Sequence, residues 1–137
     1  MELTKNRVLA ASSAAMAALF VFAQPRPASA DIAQELATAE AHAGYATAAT
    51  DLKMVQTHLH HVVNCMVGPK GRGFEATQAN PCKDQGNGVM PDFQGDTAKR
   101  AILQKALDTA RAGMNSVDLA AARQRAADVD ALLKQAM

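Results

Sequence analysis

The sequence has few large aromatic residues, with no tryptophan, one tyrosine and four phenylalanines in 137 residues. Much of its apolar content is alanine, which buries little surface, and buried apolar area contributes only about 25 cal/mol per Å². A chain of this length is enough for one domain. We therefore expect a thin hydrophobic core, in the size range where a covalent cross-link adds noticeably to stability.

Several motifs that would indicate particular functions are also missing. The sequence contains no C-x-x-C-H haem attachment motif, no H-E-x-x-H motif and no serine nucleophile motif, so we expect neither c-type haem nor an enzyme. The formal net charge is only +1, and no basic face is concentrated enough for bulk nucleic-acid binding. We therefore expect no nucleic-acid partner.

The first thirty residues have the features of a secretory signal. Lys5 and Arg7 precede a mostly apolar stretch over residues 8–23, and the small residues Ala-Ser-Ala occupy positions 28–30. A short positive segment, an apolar run and a small-residue cleavage site are typical of a cleavable signal peptide. The sequence therefore predicts a signal peptide over residues 1–30.

The rest of the chain, residues 31–137, is predicted to be a single helical domain in the periplasm or outside the cell. It contains no second apolar run long enough to span a membrane, so we expect no membrane span after cleavage. Once the basic leader is removed, the formal charge is close to neutral.

Apolar residues at three- and four-residue spacing predict helices over residues 31–67, 96–113 and 116–136. Between them, residues 68–95 carry repeated glycines and prolines, which predict a long loop. The predicted fold class is all-α, a small antiparallel bundle of three to four helices whose Gly/Pro-rich loop is closed by a disulfide.

Cys65 and Cys82 are the only cysteines. In an oxidising compartment such a pair persists as a disulfide, and closing this loop would contribute about 3 kcal/mol in the chain-entropy model. The alternative is a thiolate metal site or a redox pair, although the spacing is too wide for C-x-x-C chemistry.

Three of the four histidines lie within four residues, at positions 58, 60 and 61. On a helix, Met54, His58, His61 and Cys65 share one stripe beside the core face, whereas His60 points to the other flank. Side chains three or four residues apart can reach one metal ion, imidazoles suit Zn, Cu or Ni, and a methionine sulfur suits copper. The sequence therefore predicts a metal site at His58 and His61, helped by His60 or Met54.

This predicted site is incomplete if Cys65 is oxidised, because one helix then offers only two nitrogens on the stripe. Further ligands must come from another helix, the loop or another subunit. His42 is one such source. In one continuous helix it lies about 24 Å from His58, whereas a chain reversal near residues 47–51 brings it back. The pattern over residues 31–67 leaves both one helix and two open.

The segment Ala39-Glu40-Ala41-His42-Ala43, followed by the histidine cluster over residues 58–61, resembles small periplasmic helical metal-binding proteins of bacteria. This resemblance implies an exported metal binder. Such proteins repeat their histidines along the helices, whereas the last helices here contain none, so a single site is more in keeping than high-capacity storage.

The alternative function is a non-enzymatic structural or interaction module of the cell envelope that binds no ligand. It is suggested by the alanine-rich amphipathic helices and by the long tethered loop. Such a module would act as a homo-oligomer or with an envelope protein partner.

Overall fold

The computed structural model describes residues 30–137, so the predicted signal peptide lies outside the described residues except for Ala30. In this part of the chain every regular element is a helix, and none of these helices is long and apolar enough to cross a membrane. The five helices are α1 (Ile32–Ala48), α2 (Leu52–Val67), α3 (Val89–Asp92), α4 (Thr97–Met114) and α5 (Leu119–Ala136).

The first helical region forms two helices rather than one. Ala49 has an extended backbone at the end of α1, and the Asp51 side chain caps α2 by accepting a hydrogen bond from the Met54 N–H at 2.9 Å. An aspartate at this position satisfies an N–H group that has no partner within the helix, which favours a new helix start. The chain reverses here, and α1 packs against α2.

The four long helices form a bundle in which α1 packs against α2 and α5, and α4 also packs against α2 and α5. The predicted inward face of α2 is buried, with Val55, Leu59 and Val62 fully inaccessible to solvent. On α1 the buried face consists mainly of alanines. The core is therefore as thin as the composition suggested, and its largest fully buried side chains include leucines of α2, α4 and α5.

The helix predicted over residues 96–113 agrees with α4. This helix starts after Asp96, whose side chain accepts a hydrogen bond from the Lys99 N–H at 2.8 Å. The last helix begins at Leu119, slightly later than the expected start at residue 116. Asp118, with an extended backbone, is its N-cap and accepts from the Ala121 N–H at 2.8 Å. Ser116 does not cap the helix; its hydroxyl donates a hydrogen bond to the Asp118 carbonyl and accepts one from the Asp118 N–H.

The disulfide between Cys65 and Cys82 is confirmed, with the two Cα atoms 5.2 Å apart. It joins the last turn of α2 to the segment that was predicted as loop, and this segment also contains the short helix α3. The start of the segment lies against the residues just before α3, where a Cβ on Gly68 would lie 1.6 Å from the carbonyl oxygen of Asn87. Gly68 also has φ +68°, so a side chain there would be strained as well as obstructed.

Asn64, a fully buried residue next to the disulfide, holds the same segment through its backbone. Its Nδ2 donates to the carbonyl oxygens of Glu75 at 3.0 Å and Ala79 at 3.1 Å, and its Oδ1 accepts from the Glu75 N–H at 2.9 Å. These bonds are part-buried, with the fully buried Asn64 side chain at one end, and leaving a buried polar group unpaired costs about 1–3 kcal/mol.

We expect Asn64→Ala to lower the free energy of unfolding by about 2–4 kcal/mol, because several backbone groups lose their partner at once. Urea unfolding followed by circular dichroism would measure the loss. Asn115→Ala is the matched control, since exposed Asn115 makes one side-chain bond, to the Arg111 carbonyl, and should lose less than about 1 kcal/mol. Equal losses in the two variants would contradict this account of Asn64.

Glu35 ties α1 to the other end of this segment. Its side chain is fully buried, Oε1 accepts from the Gly88 N–H at 2.9 Å, and Oε2 has no hydrogen-bond partner among the described residues. Burial raises the pKa of the Glu35 carboxyl, and the nearby charges of Asp92 and Asp31 raise it further, while the bond from Gly88 acts in the opposite direction.

A carboxyl group whose pKa is raised by folding binds its proton more tightly in the folded than in the unfolded state. The Glu35 carboxyl therefore contributes most to the free energy of unfolding at a pH below its ordinary pKa of 4.5. This stability is lost as the pH rises from 4.5 through the raised pKa of the folded state. Glu35→Gln cannot titrate and keeps an acceptor for Gly88. We expect this variant to gain stability relative to wild type as the pH rises.

Thermal unfolding at a series of pH values from about 4 to 7 would measure this difference. Glu40→Gln, on the same helix but only half-buried, is the control and should not reproduce the trend. If the melting temperatures of wild type and Glu35→Gln run parallel across the range, the buried carboxyl does not titrate as we expect.

Candidate metal centre

Three histidines converge at the contact between α1 and α2. His42 comes from α1, and His58 and His61 come from one face of α2 because they are three residues apart. The Nδ1 atom of His42 lies 3.2 Å from Nδ1 of His58 and 3.2 Å from Nδ1 of His61. One ring nitrogen from each residue lies within 4.8 Å of the other two, which is close enough for all three to hold one metal ion.

The local sequence explains why the three rings meet at the edge of the core. Each histidine is half-buried and lies next to a fully buried residue in the sequence, Ala43 beside His42 and Leu59 beside His58. Those buried neighbours set the rotation of both helices. The small alanine side chains on the buried face of α1 let its backbone lie close to α2. The histidines beside these buried residues therefore face the contact between the two helices.

The spacing of the nitrogens suits a first-row transition metal. Zinc–imidazole bonds are about 2.0–2.1 Å long, and two nitrogens 3.2 Å apart at that distance subtend an angle of roughly 100–106° at the ion. This angle is close to tetrahedral, the usual geometry of protein zinc sites.

The surroundings also keep the imidazoles in the form that binds metals. Burial lowers the pKa of all three, and the mutual repulsion of the rings adds to this effect for His42 and His61. The pKa of His42 falls to about 4. Metal binding needs the neutral ring, so protons compete weakly for the His42 nitrogen at neutral pH.

Tyr45 borders the three histidines. Its ring centroid lies 5.4 Å from that of His42, edge-on, and 5.5 Å from that of His58. The side chain is nevertheless 56% exposed, so it marks the solvent side of the cluster. It is also the only tyrosine of a chain that has no tryptophan, which makes it a specific fluorescent reporter on this site.

The structure brings His58 and His61 together as their spacing suggested. His42 joins them, because the chain reversal that the sequence left open does occur. His60 is half-buried on α2 and does not belong to the group of three nitrogens. The Met54 side chain, one turn before His58, is 46% exposed. The signal that could have included His42 is Asp51, a strong N-cap residue at the point of reversal.

Fold and site together define an all-helical, disulfide-linked bundle with a histidine triad on the outer side of one helix pair. No protein-family model, curated protein or solved structure matches this chain. The interpretation of the triad therefore depends on its own geometry and chemistry.

Proposed function

We propose that this chain is an exported protein that binds one transition metal ion, Zn, Cu or Ni, through His42, His58 and His61. The observation that carries the proposal is the convergence of three Nδ1 atoms, two pairs of them 3.2 Å apart, from two different helices. Imidazole nitrogens are suitable ligands for each of these ions.

Hydrogen bonding alone accounts poorly for this arrangement. A neutral imidazole nitrogen carries either one proton or one lone pair, so the His42 Nδ1 cannot make two full hydrogen bonds, one to each neighbour. Without an ion, the two contacts share a single proton or a single lone pair. A cation at the centre would use the lone pairs of all three nitrogens.

The disulfide supports the export part of the proposal, because disulfides form and persist in oxidising compartments outside the cytoplasm. It also removes Cys65 from the set of available ligands. Met54, one turn before His58, remains the candidate for an additional soft ligand if the ion is Cu(I). His60, which the sequence suggested as a helper, lies outside the group of three nitrogens and is not one of the proposed ligands.

Calorimetric titration of the metal-free protein with Zn(II), Cu(II) and Ni(II) tests the proposal. We expect one ion per chain for at least one metal, and quenching of Tyr45 fluorescence by paramagnetic Cu(II), because the tyrosine ring touches two of the ligands. Elemental analysis of protein purified from its native compartment would identify the ion. If a His58→Ala/His61→Ala variant binds as well as wild type, the triad is not a metal site.

A ligand-free module of the cell envelope is the second candidate. It is favoured by two exposed large apolar side chains near the triad. These are Tyr45, whose ring contacts His42 and His58, and Met54, one turn before His58 on α2. This function predicts no co-purified metal and no heat of metal binding, whereas the proposed metal binder predicts both.

A further inference from the structure

We propose that a divalent ion held by the three histidines keeps a fourth coordination position beside Tyr45, and that this position takes a small exogenous anion. The inference rests on the proposed function, since it needs the bound ion. It goes further in naming a second ligand and the place where that ligand enters.

The described residues bring three donors of the usual kinds to the site, His42, His58 and His61. Within residues 30–137, no other histidine, cysteine, aspartate or glutamate belongs to the group. Cys65, one turn after His61, is fully buried and committed to the disulfide. Glu40, two residues before His42, forms an ion pair with Lys134 at 3.3 Å. Zinc sites with three protein ligands keep the fourth position for water or another small molecule.

The open position cannot face the core, because the inward neighbours of the triad already fill that side. Ala43, Leu59 and Val62 are each fully inaccessible to solvent. On the other side the only described aromatic ring in contact with the histidines is that of Tyr45, which is itself more than half exposed. A ligand therefore reaches the ion from solvent, past the tyrosine ring.

Charge determines the class of ligand. All three donors are neutral imidazoles, so a divalent ion brings two positive charges with no carboxylate or thiolate among its ligands to offset them. The surroundings are partly desolvated, because each histidine is half-buried and its neighbours Ala43, Leu59 and Val62 are inaccessible to solvent. Opposite charges attract more strongly in such an environment than in water, which favours an anion over a neutral donor. The anion must be small, because the Tyr45 ring lies only about 5.5 Å from the ring of His58.

The test uses the full protein loaded with one equivalent of Co(II) or Cu(II), whose visible spectra report the ligands of the ion. We expect titration with azide to change the spectrum and to saturate at one azide per ion, and imidazole to bind more weakly than azide. If the protein takes up no metal, both the proposed function and this inference fail. If it takes up the metal but azide leaves the spectrum unchanged, only this inference is overturned.

Two variants locate the position. In Tyr45→Ala the opening is wider, so we expect unchanged metal uptake and a several-fold gain in affinity for a bulkier anion such as benzoate, relative to azide. An unchanged ratio would overturn the placement beside Tyr45. Met54→Leu should bind azide as wild type does. If azide binds this variant alone, the methionine sulfur occupies the fourth position in wild type, and the inference is wrong.

Discussion

His42→Ala is expected to weaken metal binding by at least about a hundredfold, although this residue lies sixteen positions from the histidine cluster. Its Nδ1 is the atom common to both 3.2 Å contacts, so its removal leaves two nitrogens on a single helix. Even the loss of a group that merely supports a ligand weakens metal affinity by about 10- to 100-fold, and His42 is proposed as a ligand itself. Calorimetry with the metal that binds wild type most tightly measures the effect.

His60→Ala is the matched control, because it also removes one imidazole, from the helix that carries His58 and His61, but outside the group of three nitrogens. We expect its affinity to stay close to that of wild type. If His60→Ala loses as much affinity as His42→Ala, the ion is held by the cluster over residues 58–61 and not by the triad. Circular dichroism of both variants without metal would show that neither change has unfolded the bundle.

Removing the disulfide in a Cys65→Ala/Cys82→Ala variant is expected to lower the free energy of unfolding by about 3 kcal/mol. The bond spans 17 residues, and the cost follows from the freedom that the unfolded chain regains when this loop is no longer closed. For a domain of this size that loss corresponds to a drop of roughly 10–20 °C in melting temperature. Thermal unfolding of both proteins without metal measures it.

Thiol chemistry supplies the control for this prediction. Unreduced wild-type protein, denatured and treated with a thiol reagent, should show no reactive cysteine, and reduction should release two. Chemically reduced wild type should then melt near the double variant. A loss well below 1 kcal/mol would mean that Asn64 and the close approach of Gly68 to Asn87 hold the segment without the cross-link.

The two cysteines and the histidine triad are coupled through α2. His61 lies one turn before Cys65, so the disulfide anchors the helix end that follows the site. The bond also affects the chemistry of the site. Because Cys65 is oxidised, it cannot bind a metal as a thiolate, and the three donors of the triad are all imidazole nitrogens. An exported protein would thus use its cysteines for stability and its histidines for binding.

The sequence by itself determined the features that depend on neighbouring residues. The inward face of α2 follows from three- and four-residue spacing, the start of α4 from the capping side chain of Asp96, and the pairing of His58 with His61 from helix geometry alone. The disulfide was also predictable, since only two cysteines exist and the leader suggests an oxidising compartment.

Only the tertiary structure decided the features that join distant positions. The inclusion of His42 depends on the chain reversal at Asp51. A continuous helix and a break capped by Asp51 differ only slightly in local free energy. The packing of α1 against α2 and α5 therefore decides between them. The contacts of Asn64 with Glu75, and of Glu35 with Gly88, likewise have no periodic signature in the sequence. The physical reason is the same for all three: periodicity and capping act within a few residues, whereas a three-nitrogen site needs two helices brought into a definite register by their packing.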